Sequence, residues 1–319
     1  MALPTDSGHL SDQPSDELIE KFTGRVEKQF AKSSIMRQYA TVETVKGTDT
    51  LINRRVGRTV LKKVTAGVRP EATKTQQGRV QVVVDTIVLA RDNVALLSTF
   101  QQDINMQQTL SEDHGKELGK FFDEAFIIQG IKGALASAPA NLNGAIGAGK
   151  NFSFAATNDD LDPDKLEDAI ANILVAMAEE DIDTNEVVVF VRPTHHRVLY
   201  KNDKLVSKEF SPENGDYAKA MVNCIGDSRI VSTARIPTAA ITGHKLSNAD
   251  NSNAYDVSAS EAKAVAVLLH PRSLLAGETI PLTTQIYYSK EELQWFIDSY
   301  LAFGVSVNRP DCCGAVFKA

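Results

Sequence analysis

Cysteine is scarce in this chain: Cys224, Cys312 and Cys313 are the only three in 319 residues. So sparse and odd a count excludes a disulfide scaffold and fits a reducing compartment. The neighbours Cys312 and Cys313 would bridge only under strain, so all three are expected to be inert thiols. No run of 18 or more apolar residues occurs, and no transmembrane helix is expected. Met1 to Gln13 is polar, with Asp6 and Asp12, and lacks the basic-then-apolar pattern of a secretory signal. There is no Gly-x-Ser-x-Gly elbow, no Cys/His dyad in a recognisable context and no zinc-ligand spacing, so an enzyme reading has nothing specific to hold. What is present is an ordinary globular composition, 43% hydrophobic, long enough for about two domains or for one with large insertions.

Charge is unevenly placed. From Val45 to Arg79 there are nine basic residues (Lys46, Arg54, Arg55, Arg58, Lys62, Lys63, Arg69, Lys74 and Arg79) against Asp49 and Glu71, a net +7 over 35 residues. Residues 1–44 carry −2 and residues 80–319 carry −12, for a total of −7. A basic segment on an acidic body either holds nucleic acid or docks on the acidic body of another copy; a solvated hairpin is the bland alternative. The segment has no Phe, Tyr or Trp on which bases would stack and matches no basic-helix or zinc-finger template. The −12 remainder would repel a polyanion, so docking is favoured over nucleic acid.

Along the chain, residues 1–15, rich in Ser, Asp, Pro and Gly, read as extended or mobile. Ser15 reads as the cap of a helix over Asp16–Ala31, whose Leu18, Phe22, Val26 and Phe30 recur every four residues. Residues 41–90 are strand-like, rich in Val and Thr and punctuated by Gly47, Gly57, Gly67 and Gly78. Their basic part reads as a long hairpin without a core of its own, stable only when covered, and Val80–Ala90 as the strongest strand. Gln107–Leu135 reads as one helix on the order of 40 Å long, with Leu110, His114, Leu118, Phe121, Ala125, Ile128 and Ile131 on its stripe and His114 as a packed or rim residue. After a Gly- and Asn-rich connection, Asp162 and Pro163 open a helix that turns Leu166, Ile170, Ile173, Leu174 and Met177 inward. Glu186–Val191 reads as a buried strand, Thr194 as the start of a short helix and residues 244–261 as an exposed tip. Ala262–Leu269, Gln285–Tyr288 and Gln294–Val307 read as strands. The expected class is α+β, with strands from both ends of the sequence in one sheet.

Two motifs and one cluster invite chemistry. Gly144–Lys150 (GAIGAGK) satisfies G-x-x-x-x-G-K, but Asn151 stands where a phosphate loop requires Ser or Thr, and the flanking segments are not strand and helix in that order. His195 and His196 point about 100° apart on a helix, too divergent to share an ion, and are expected at the surface of a helix start. Glu179, Glu180, Asp181 and Asp183 crowd a helix C-terminus, where the dipole disfavours them, and form a candidate acidic docking patch. No cofactor and no metal are expected.

The order of features, with several short segments, resembles the major capsid protein of tailed bacteriophages, of the Hong Kong 97 type fold. The segments are VGRT at Val56–Thr59, VVDTIVLA at Val83–Ala90, NLNGAIG around Asn143 and Gly144, HPRS at His270–Ser273 and GAVFK at Gly314–Lys318. They point to the short-tailed, T-seven-like podovirus branch. The resemblance implies an N-terminal arm over 1–44, an extended β-hairpin (the E-loop) over 45–80, a peripheral domain over 81–191 and 270–319 with the long helix as its spine, and an axial domain over 192–269. It implies a non-enzymatic subunit that self-assembles into hexamers and pentamers of an icosahedral shell enclosing double-stranded DNA, without sequence-specific binding and without a membrane. Scaffold, portal and possibly cement proteins are its further partners. The virion capsid is its location, after assembly in the host cytoplasm. Arg54, Arg55, Arg58, Lys62, Lys63 and Arg69 of the E-loop are the expected subunit-interface residues. Some relatives cross-link an E-loop Lys to a neighbour's Asn; Lys62 or Lys63 with Asn308 would be the pair here, although the T-seven-like branch is not known for it. An encapsulin-like nanocompartment shell loaded with protein cargo shares the fold, and a nucleotide- or DNA-binding enzyme is the remaining alternative.

Overall fold

The computed structural model describes residues 16–319 apart from 65, 68, 70–71, 96–104, 143, 203–204, 206–214 and 217–220. The expectations for residues 1–15, the Ser15 cap, the Leu18 side chain and Asn143 lie outside the described residues. The elements begin with α1 (Asp16–Ser33), α2 (Met36–Tyr39), β1 (Val42–Thr44), β2 (Thr50–Val56), β3 (Gln77–Val83), β4 (Val88–Ala95), α3 (Asn105–Leu135), β5 (Lys150–Ser153) and α4 (Pro163–Ala178). They continue with β6 (Val188–Val191), α5 (Pro193–Leu199), β7 (Gly215–Asp216), β8 (Met221–Val222), β9 (Cys224–Ile225), β10 (Ser228–Ser232), β11 (Ala264–Leu269), β12 (Leu274–Ser289), β13 (Gln294–Val307) and β14 (Cys313–Phe317). The chain divides into two compact units, one of 1–38, 84–123 and 278–303, the other of 39–83, 124–277 and 304–319.

In the first unit β12, β13 and β4 lie side by side, with β13 antiparallel to β4. The four-residue stripe of α1 does what its spacing requires. Phe22 and Val26 pack on Ile297, with Val94, Leu110, Leu282 and Ile286 around them, and Phe30 meets Phe122 edge-on at 5.7 Å. Such a helix owes its stability to this apolar face more than to propensity. Helix α3 lets α1 approach because residue 115 is glycine: a Cβ there would lie 2.6 Å from the Val26 carbonyl oxygen. His114 is buried as a packed residue, with Nδ1 3.0 Å from Ser299 Oγ and Nε2 2.8 Å from Asp92.

In the second unit six strands run in the order β5-β14-β11-β6-β10-β9, parallel at β5–β14 and β6–β10. Every residue of β6, β11 and β14 is buried, as uninterrupted apolar runs imply for a sheet covered on both faces. Helix α4 covers one face, setting Leu166, Ile170, Ile173 and Met177 against Val189, Val265, Leu268 and Val316. Each such side chain contributes about 1.5–3 kcal/mol on burial, which outweighs the N-cap that starts the helix, Asp162 accepting from the Asp164 N–H at 3.2 Å, worth about 1 kcal/mol. The Glu124–Leu135 half of α3 lies on Val267, Leu269 and Cys313, close enough that a Cβ on Gly133 would sit 2.6 Å from Cys313 Sγ. Burial pushes the Cys312 thiol up to about 12 and raises Cys313 as well; neither is a thiolate near neutral pH, as expected of inert cysteines.

Three expectations are corrected. The strand read over Val80–Ala90 is two strands: β3 ends at Val83 and pairs with β2, while β4 begins at Val88 and pairs with β13. The polar pair Asp85 and Thr86 inside the run stands where the chain leaves one sheet for the other. The tip read as exposed over 244–261 is turn-rich but folded back, with His244, Leu246 and Tyr255 buried. Asp256 holds its turn by accepting from the Gly243 and His244 N–H groups at 3.0 Å each. His195 is buried rather than at the surface, its Nε2 2.8 Å from Asp160, because the turn 159–161 packs over the start of α5.

Candidate assembly surface

The basic segment forms the expected hairpin. Strands β2 and β3 pair antiparallel from Thr50↔Val83 to Val56↔Gln77, and residues 57–76 lie beyond them. Alternation gives the ribbon two faces. The inner face is held by its own chain. Asn53 Nδ2 donates to Asn308 Oδ1 at 2.9 Å, and Arg55 Nη2 donates to the Val307 carbonyl at 3.1 Å. The Arg58 N–H reaches the Leu142 carbonyl at 3.3 Å, and Gly78 lies against the Leu142 side chain. Burial lowers the Arg55 pKa, with Asp311 opposing that shift. The hairpin's want of a core is thus met on this side within one chain.

The outer face is different. It presents Ile52, 51% exposed, and Val56, 60% exposed, on β2, with Arg54 exposed between them. On β3 it presents Gln77, Arg79, Gln81 and Val83. Arg54 stands directly opposite Arg79 in the register. Side chains so placed lie roughly 5 Å apart, and like charges there are destabilising. Past the strands Arg58, Lys62, Lys63 and Arg69 are exposed as well, beside Val64 at 67% and Leu61 at 92%. Of the residues expected at a subunit interface, Arg54, Arg58, Lys62, Lys63 and Arg69 therefore face solvent, and Arg55 is engaged inward. Arg79 belongs with them, although the sequence reading did not single it out. The register symmetric about Ala66 and Gly67, where Gly67 has φ +83°, was the signal that pairs it with Arg54. Both amide atoms of Asn308 are used within the chain, Nδ2 donating to the Arg272 carbonyl at 3.1 Å, so the Lys–Asn bond some relatives form would first have to break these contacts.

The remaining candidates resolve into structural roles. Lys150 opens strand β5, not a helix, and its ammonium bonds Glu180. A phosphate loop would lead into a helix at this point, and the described residues lead into a strand. Substituting Lys150→Met is expected to cost about 1 kcal/mol or less and to leave titration with Mg-ATP as silent as in the parent; nucleotide affinity in the parent that the variant loses would revive the phosphate-loop reading. Of the acidic cluster, Glu180 is neutralised by Lys150 and Asp183 caps the turn 184–186, while Glu179 and Asp181 are exposed. Among the described residues no group of three His, Cys, Asp or Glu side chains is placed to hold a metal ion, and no helix is long and apolar enough to cross a membrane.

No family model matches the sequence, and no curated protein matches it. Solved structures do match in fold. The mature capsid of bacteriophage PhiM1 is 26% identical at a TM-score of 0.77, covering 90% of this chain and 87% of that one. The capsid of cyanophage P-SCSP1u is 15% identical at 0.79, covering 90% and 88%. A virus-like particle from Pyrococcus furiosus is 12% identical at 0.54, covering 94% and 99%. The fold is that of bacteriophage capsid subunits, the Hong Kong 97 type. By that likeness the chain is a capsid-forming shell protein of the phage type.

Proposed function

We propose that the chain is the major capsid protein of a tailed phage, a non-enzymatic subunit that assembles into hexamers and pentamers of an icosahedral shell around double-stranded DNA. The observation that supports this reading, beside the fold, is the outer hairpin face: arginines set opposite each other among exposed apolar side chains cost stability in the lone subunit, and an acidic partner surface would relieve that cost. Arg54, Arg58, Lys62, Lys63 and Arg69 are assigned to that contact, with Arg79 added and Arg55 supporting the hairpin from within. The acidic remainder of the chain suits a wall that does not grip packaged DNA. Scaffold, portal and possibly cement proteins are the further partners, the virion capsid is the location, and the host cytoplasm is where the shell is built. The arm, E-loop, peripheral and axial assignment, and the T-seven-like branch, rest on the short segment matches.

A second reading, a compartment shell around protein cargo, draws on the likeness to the Pyrococcus particle. Negative-stain microscopy of the purified protein is expected to show closed shells tens of nanometres across. Nuclease-protected DNA within particles isolated from a producing host supports the phage reading; particles holding protein and no DNA favour the compartment, and isolated monomers at high concentration overturn both.

A further inference from the structure

We propose that the outer face of the β2–β3 hairpin docks, head to tail, on the outward face of α4 and its exit turn in a second copy of this chain. The proposal rests on the shell-subunit reading and names the surface that reading leaves open.

Charge points to the pairing. Pro163–Glu186 carries eight acids (Asp164, Glu167, Asp168, Glu179, Glu180, Asp181, Asp183 and Glu186) against Lys165 alone, a net −7 over 24 residues. This offsets the +7 of Val45–Arg79. Lys165 is taken by Asp159, and Glu180 by Lys150. Asp168, Glu179 and Asp181 are exposed and have no basic partner among the described residues. Arg54 and Arg79 likewise have no acidic partner among the described residues.

Shape and apolar content agree with charge. Asp168, Asn172, Val175 and Glu179 recur at spacings of four, three and four, one stripe along α4 and its end, and all four are exposed. Val175 is 58% exposed within that acidic surround, as Ile52 and Val56 are exposed within a basic one. One helical turn separates Val175 from Glu179, about 6 Å at 1.5 Å per residue. Two strand residues separate Val56 from Arg54, about 7 Å at 3.4 Å per residue. A valine can therefore meet a valine while a carboxylate meets the arginine pair. The inner hairpin face is already fixed to Val307, Asn308 and Leu142 of its own chain, so the outer face is the one left for another copy.

The two patches are different surfaces of one chain. Their contact is heterologous, and it builds rings when the rotation closes. That gives the proposal a complementation test. Variant one carries Arg54→Glu and Arg79→Glu; variant two carries Asp168→Lys and Glu179→Lys. Each alone brings like charge to like and is expected to lose assembly by about tenfold or more, while circular dichroism and melting match the parent, since all four positions are exposed. Mixed together they are expected to form even-membered rings such as hexamers, in which the two variants alternate: the acidic hairpin of one meets the basic helix of the other, and the unchanged patches meet in the next contact, whereas a five-membered ring would keep one like-charge contact and is expected only from the parent or from the chain with all four changes. One chain carrying all four changes is expected to assemble alone. Parent-level shells from either variant alone overturn the pairing, as does a mixture that stays dissociated while the parent assembles. A parent that forms no ordered assembly overturns the shell reading itself.

Discussion

Substituting Asp123→Ala is expected to destabilise the unassembled subunit by about 3 kcal/mol or more, lowering its melting temperature by roughly 6–12 °C. The Asp123 side chain is fully buried in α3. Its Oδ1 accepts from Ser34 Oγ at 2.8 Å and from the Met36 N–H at 3.0 Å, and its Oδ2 accepts from the Ile35 N–H at 2.8 Å. These donors form the turn from α1 into α2, and Ser34 and Met36 are themselves buried. The first N–H groups of a helix have no partner within it, and here a residue almost ninety positions away supplies one. Alanine leaves three donors without an acceptor, each costing about 1–3 kcal/mol. Asn keeps one oxygen and turns an N–H donor toward a second, so Asp123→Asn is expected to fall between the parent and alanine. Calorimetry that places the alanine variant within about 2 °C of the parent would show that the cap is dispensable.

That carboxylate also marks the limit of what the sequence makes legible. Periodicity located α1, α3 and α4, because Phe22, Val26, Ile170 and Met177 are buried by the fold their own spacing implies. The Asp162 and Pro163 start of α4 is a local signal, and it is found in place. Asp123 gives no such signal. It is one more acid on a long helix until α2 is brought over it by chain far away. His195 was misread for the same reason: its burial is decided by Asp160 and the turn above it, neither of which a helix-start pattern contains. The proposed assembly surface was legible as a charge block, since nine bases need no fold to be counted. Its division into two faces was not. Arg54 and Arg55 are equal in composition and adjacent in sequence, yet alternation turns one outward and the other onto Val307. Only the register, which sets Arg54 against Arg79, shows that the outer face carries an unfavourable like-charge pair.

The second large effect is expected from a single oxygen. Tyr255 is buried in the segment read as an exposed tip. Its hydroxyl donates to the Val305 carbonyl at 2.9 Å and accepts from the Val305 N–H at 2.8 Å. One phenol therefore satisfies both backbone groups of a buried strand residue, as a neighbouring strand would. The ring stacks on His244 at 5.6 Å, and Gln129 holds the Ala254 carbonyl beside it at 3.0 Å. Tyr255→Phe keeps the ring and its packing and removes only the oxygen, so the change in stability reports the two hydrogen bonds. Two buried backbone groups left unpaired give an expected loss of about 2 kcal/mol or more, smaller than that of Asp123→Ala because two bonds are broken and not three. Hydrogen exchange at the Val305 amide is expected to quicken by roughly thirtyfold, the equivalent of about 2 kcal/mol. A phenylalanine variant with parental melting and unchanged exchange at Val305 would mean that the strand finds other partners. The tip would then be the loosely attached loop its polar sequence suggests.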